Sequence, residues 1–141
     1  MNKVALLALL IILLVTPTTA SDQEDAAADA VATIFLQARQ SAHLSKLERM
    51  GRNTFGKKVC KHDMSFPSGW INDVAYETSD PTQLSASAKQ LATSPDNYKV
   101  TTRFGLGVCL LHTSSAEQPK YSVLIATYES RWTSFWRILW E

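Results

Sequence analysis

Neither cysteine nor an excess of charge marks this chain. Two cysteines, five glycines and five prolines stand among 141 residues, and 14 Lys and Arg balance 13 Asp and Glu. So even a balance offers no long-range field to a nucleic acid or an anionic membrane. No CxxC pair and no Cys/His spacing of a zinc site occurs, and no segment repeats. A GxSxG elbow, a P-loop and a Gly-rich dinucleotide turn are missing too. The sequence therefore carries no ready signature of a serine hydrolase, a nucleotide-binding enzyme or a metalloprotein, and no cofactor is expected.

The opening segment, "MNKVALLALLIILLVTPTTA", has Lys3, an apolar run from Val4 to Val15 and small residues up to Ala20. This is the layout of a secretory signal peptide over residues 1–20. The run is shorter than the roughly 20 apolar residues of a spanning helix, and an uncleaved anchor is the alternative. The expectation is a secreted or periplasmic protein with no membrane span after cleavage, its mature part being one domain over residues 21–141. Loss of Lys3 would leave 14 − 1 = 13 basic against 13 acidic residues. Cys60 and Cys109 both lie in the exported part, and a lone pair in an oxidising compartment predicts one structural disulfide.

Periodicity then sorts the chain into helices followed by strands. Ser21 with Glu24 reads as a capping box, followed by Ala27, Val31, Ile34, Phe35 and Ala38 at helical steps. Ser45 with Glu48 reads as a second box, opening a helix through "KLERMGRNTFGKKVCKHDM" that Gly51 and Gly56 weaken. "WINDVAYE" is an extended or loop segment. Asp80 as N-cap and Pro81 at the first helical position predict a third helix with Leu84, Ala88 and Leu91 on one face. "SPDN" (Ser94 to Asn97) ends it as a turn.

Tyr98 to His112 alternates as a strand, with Val100, Phe104, Leu106, Val108 and Leu110 on one side and Gly105, Gly107, Cys109 and Leu111 on the other. "TSSAEQP" reads as a hairpin loop, "KYSVLIATY" as the returning strand, and "SFWRILW" from Ser134 as a last strand. Apolar residues on both sides predict that both faces of the sheet are covered. The glycine pair suits a helix packed close against one of them. The fold class is α+β.

Four segments, in order between Ala38 and Val108, resemble the CAP superfamily (cysteine-rich secretory, antigen 5 and pathogenesis-related proteins), in particular its short bacterial members. "ARQSAHLSKL" resembles the family's first motif, with Arg39, Leu44 and Leu47 at its spacing. "KHDM" resembles the end of the second helix, and "NDVAY" the Gly-Glu-Asn-Ile-Ala segment. "TSPDN" followed by "FGLGV" resembles the Ser-Pro-Gly-His turn and the Val-Gly-Val-Gly strand. The resemblance implies an α-β-α sandwich, with an antiparallel sheet of three to four strands and helices on both faces.

It also implies a cleft of two histidines and two acids, sometimes holding a divalent metal, and here this chain departs from the family. Asn72 stands for the acid of the Gly-Glu-Asn segment and Asn97 for the histidine of the turn. The first histidine falls at or near Cys60, with His62 two positions on. Neutral amides are poor zinc ligands beside imidazole or carboxylate, so no metal is expected. His62, Asn72 and Asn97 are the cleft candidates.

Cys60 and His62, two apart, would not face each other on a helix, which disfavours a thiol–base pair. Asp63, Asp73 and Glu77 are read as solvated acids rather than a hydrolytic carboxylate pair. Lys57, Lys58, Lys61 and His62 form a small basic patch on a solvated helix face. Trp132, Phe135, Trp136 and Trp140 are either core at the sandwich edge or an aromatic contact surface, with Trp132 the most exposed.

Two function classes follow. The first is an exported, non-catalytic CAP-like binding module for a small apolar or cell-wall-derived ligand, a lipid among them, or for a protein partner. The second is a hydrolase using a residual cleft around His62, Asn72 and Asn97. A nuclear-transport-factor-2-like binding domain is the structural rival, since "FWRIL" resembles a Trp-Arg-Ile found near the end of that fold.

Overall fold

The computed structural model describes residues 19–94, 101–111, 118–129 and Leu139. Helix α1 is Ala20–Ser41, followed by the short strand β1 (Glu48–Arg49) and the one-turn helix α2 (Gly56–Cys60). Strand β2 (Trp70–Thr78), helix α3 (Ala86–Thr93) and strands β3 (Thr101–Leu111) and β4 (Lys120–Glu129) complete the order. The class is α+β, as expected. The signal segment up to residue 18, the "TSSAEQP" loop up to residue 117 and the last strand predicted from Ser134 lie outside the described residues, except Leu139, which is helical and exposed rather than in a strand. Among those residues no helix is long and apolar enough to cross a membrane.

The four strands form one sheet in the order β1-β3-β4-β2. The three long strands are antiparallel, with Gly107 opposite Leu124 and Ala75 also opposite Leu124. β1 runs parallel to β3, pairing Glu48 with Arg103 and Arg49 with Phe104. The sheet is therefore mixed, which corrects the expectation of a wholly antiparallel one. A chain leaving α1 for the edge of β3 can join it in only the sense in which it arrives.

Strand alternation divides the core in two. Phe104, Leu106 and Val108 of β3, with Val123 and Ile125 of β4, pack against Ala28, Val31 and Phe35 of α1 and Ala88 and Ala92 of α3. On the opposite face, Leu124, Ala126 and Cys109 pack against Phe55 and Val59 at α2. The stripe read from α1 is the one buried: Ala27, Val31 and Phe35 are inaccessible, with Ile34 and Ala38 packed beside them.

The glycine pair explains how α2 comes so close. A Cβ on Gly107 would lie 2.5 Å from Val59 Cγ2 and 2.8 Å from the Phe55 carbonyl oxygen. One on Gly105 would meet the Phe55 ring at 2.5 Å. The backbone of the helix's first turn thus occupies space that any side chain on the strand would claim.

All three helix starts differ from the sequence expectation. Thr19, not Ser21, caps α1, its hydroxyl accepting the Asp22 N–H at 3.2 Å. The second helix shrinks to five residues. Gly51 turns at φ +63°, and the N–H groups of Met50 and Phe55 donate to the carbonyls of Phe104 and Leu106. Strand-edge bonds thus take donors that a continuous helix would have needed. Ser85 rather than Asp80 caps α3, because the Asp80 carboxylate closes a local turn on the Thr82 N–H and hydroxyl at 3.0 and 2.6 Å.

Candidate functional site

The predicted disulfide is present. Cys60 and Cys109 are joined with Cα atoms 5.2 Å apart, tying the end of α2 to β3. Cys60 is exposed at the surface, whereas Cys109 is buried.

Beside this bridge, side chains extend the edge of β3 beyond the reach of β1. Asn53 donates its amide N–H to the Val108 carbonyl at 3.0 Å and accepts the Val108 N–H at 2.8 Å. Two residues on, the Leu110 N–H donates to Glu24 Oε2 at 2.8 Å. Glu24 Oε2 also lies 3.5 Å from Cys60 Sγ, a contact rather than a hydrogen bond, since a disulfide sulfur has no proton to give. The Glu24 of the supposed capping box therefore serves the strand edge and not its own helix. Neither role was legible beforehand, because the partners lie 55 and 86 residues away. A groove of about 310 Å³ opens here, walled by Glu24, Asp25, Asn53, Lys57, Cys60 and Lys61.

A second hollow, of about 320 Å³, lies at the C-terminal end of α1 between Leu36, Arg39, Gln40, Leu44, Ser45 and Lys46. It contains two of the three residues of the Arg-Leu-Leu motif. Arg39 is 3% exposed, and its Nε and one Nη donate to the Ser45 carbonyl at 3.3 and 3.2 Å. Leu44 lines the hollow and Leu47 is buried in the core. The motif works here as a clasp that turns the chain from α1 into β1.

Of the cleft candidates, His62 and Asn72 lie among the described residues. His62 is exposed just beyond α2, in the left-handed region at φ 54°, with its N–H on the Val59 carbonyl. Asn72 stands in β2 opposite Ala126, beside an irregularity in the pairing. Asn97 lies outside the described residues, as do Trp132, Phe135, Trp136 and Trp140.

Asp63 is a local structural acid. The Ser65 hydroxyl and N–H, at 2.5 and 3.0 Å, and then Lys58 at 3.3 Å hold its carboxyl down at about 2. Lys58 also donates to the Ser65 carbonyl, so of the basic patch Lys57 and Lys61 are the members that face the groove. Glu77 is exposed on β2. A row of rings the sequence reading did not assemble runs from Phe66 through Phe55 and Trp70 to Tyr128, with centroids 5.1–5.4 Å apart. Arg103 lies over the Tyr128 face at 5.7 Å. Trp70 and Tyr128 are register partners, but Phe66 joins them only through the loop after α2.

Comparison with known protein families, with curated proteins and with solved structures finds no match to this chain.

Proposed function

We propose that this protein is an exported, non-catalytic binding module built as an α-β-α sandwich of the CAP type. The observation that carries this reading is the seat of α2 on Gly105 and Gly107, across the sheet from α1 and α3. That is the layering the CAP resemblance implies, on the strand whose glycines belong to it. The Cys60–Cys109 bridge holds the layer in place and suits an oxidising compartment.

The binding reading draws on the hollow at the end of α1. Its volume, about 320 Å³, falls at the small end of ligand pockets, roughly 300–1,000 Å³. Leu36 and Leu44 provide apolar wall, while Gln40 and Lys46 give polar contacts at the rim. A small amphipathic molecule, a lipid fragment or a wall-derived piece, fits that mixture.

Native mass spectrometry of the full chain recovered from the exported fraction tests the proposal. One small ligand per chain is expected, lost on Leu44→Asp. Recovery with no ligand, together with turnover of ester or glycoside substrates that His62→Ala abolishes, would overturn it in favour of the hydrolase reading.

A further inference from the structure

We propose that the reduced chain holds one Zn²⁺ or Co²⁺ ion between Glu24, Cys60 and Cys109, so that disulfide and metal are alternative occupants of one site. This inference stands apart from the binding reading above. The three side chains come from α1, α2 and β3, and their donor atoms all lie within 4.8 Å of one another. Bonds of about 2.3 Å to sulfur and 2.0 Å to oxygen at tetrahedral angles place the two sulfurs about 3.8 Å apart and each sulfur about 3.5 Å from the oxygen. Cys60 Sγ and Glu24 Oε2 already stand 3.5 Å apart. With Cα atoms 5.2 Å apart, the sulfurs need only side-chain rotation to open to the metal-bound spacing.

The carboxylate is held in place beforehand. The Leu110 N–H occupies one lone pair of Glu24 Oε2 and leaves the remaining ones for an ion. Because Cys60 faces the groove, water can take the fourth position, an arrangement of three protein ligands and one open site. Two thiolates and a carboxylate around a dication leave a net negative charge, which Lys57 and Lys61 on the groove wall offset.

The chemistry balances with a phosphine as reductant. The phosphine attacks one sulfur, the S–S bond breaks, and water converts the adduct to phosphine oxide and two thiols. Metal binding then displaces the two thiol protons into solvent. A small-molecule disulfide such as oxidised glutathione reverses the step by thiol–disulfide exchange. It takes up the two electrons of the thiolates and two protons from solvent, leaves as two thiols, re-forms the Cys60–Cys109 bond and releases the ion.

The test uses the full chain, reduced with a phosphine under inert gas, alongside the oxidised chain. Titration with Co²⁺ is expected to give thiolate-to-cobalt absorption saturating at one ion per reduced chain, with about two protons released, and none in the oxidised chain. Zn²⁺ should displace the cobalt. Glu24→Gln keeps an acceptor for Leu110 but is expected to weaken binding about tenfold or more, while Glu77→Gln, exposed on β2 outside this groove, should bind as the parent does. Absent cobalt absorption in a reduced chain that keeps its helical circular dichroism would overturn the proposal, as would equal affinity in Glu24→Gln. Should reduction unfold the chain, the ion must restore the helical signal, and failure to do so also refutes the site.

Discussion

Asn53 stands in for a strand at Val108, its side-chain amide donating to that residue's carbonyl at 3.0 Å and accepting its N–H at 2.8 Å. With the N–H groups of Met50 and Phe55 on the carbonyls of Phe104 and Leu106, and Glu24 on the Leu110 N–H, the β3 edge is closed well beyond the two residues of β1. An edge covered in this way offers little template for pairing with a second chain.

Asn53→Ala would leave both polar groups of Val108 without this partner. An unsatisfied group costs about 1–3 kcal/mol, so the midpoint of urea unfolding should fall with an unchanged slope. Asn53→Asp keeps the acceptor but loses the donor, and is expected to be intermediate. A stability equal to the parent in Asn53→Ala would mean that water replaces the amide without loss.

Gly107→Val sets strand propensity against space. Valine is the better strand residue, yet its Cβ would meet Val59 and the Phe55 backbone at 2.5–3.0 Å. Overpacking of this kind costs about 1–3 kcal/mol, and each kcal/mol is worth roughly 3–6 °C at this chain length. Calorimetry should show a lower midpoint. An unchanged or higher one would mean that α2 does not sit on the glycine face.

Tyr76 carries a hydroxyl that is shut away from solvent and has no hydrogen-bond partner among the described residues, and burial pushes its titration up to about 12. Tyr76→Phe removes the unpaired group while keeping the ring, so it should leave stability unchanged or raise it by up to about 1 kcal/mol. A clear loss in chemical denaturation would reveal a partner for the hydroxyl.

Acid sensitivity should arise partly at Asp63. Its carboxyl is lowered from 3.8 to about 2 by Ser65 and then Lys58. A lowered folded value means that the contribution to stability is full above about 4 and is lost as pH falls towards 2. Asp29, held down chiefly by Arg52, and Asp80, held down by Thr82, shift in the same direction. Solvent screens such exposed pairs, so the effect is small. Asp63→Asn should flatten the stability profile in that window, and a profile identical to the parent's would refute the assignment.

What the sequence determined by itself was the period of burial along each element, the succession of strands and the single pairing open to two cysteines. The stripe of α1, the alternation of β3 and the partnership of β3 with β4 were readable because burial imposes periods of 3.6 and 2 on the residues themselves. The disulfide was readable because two cysteines allow only one pairing within the chain. Tertiary structure decided the rest. Glu24 and Glu48 both sat in plausible capping boxes, yet Glu24 bonds the Leu110 N–H and Glu48 pairs with Arg103 in β1. The second helix lost its first half to the edge of β3. For Glu24 and for the second helix a backbone group on β3 had to be satisfied, and the residues able to reach it were set by the docking of α1 and α2 on the sheet. A local pattern can show that a carboxylate suits a helix start. It cannot show that a strand edge, 86 residues away in sequence, holds the N–H that the carboxylate will serve.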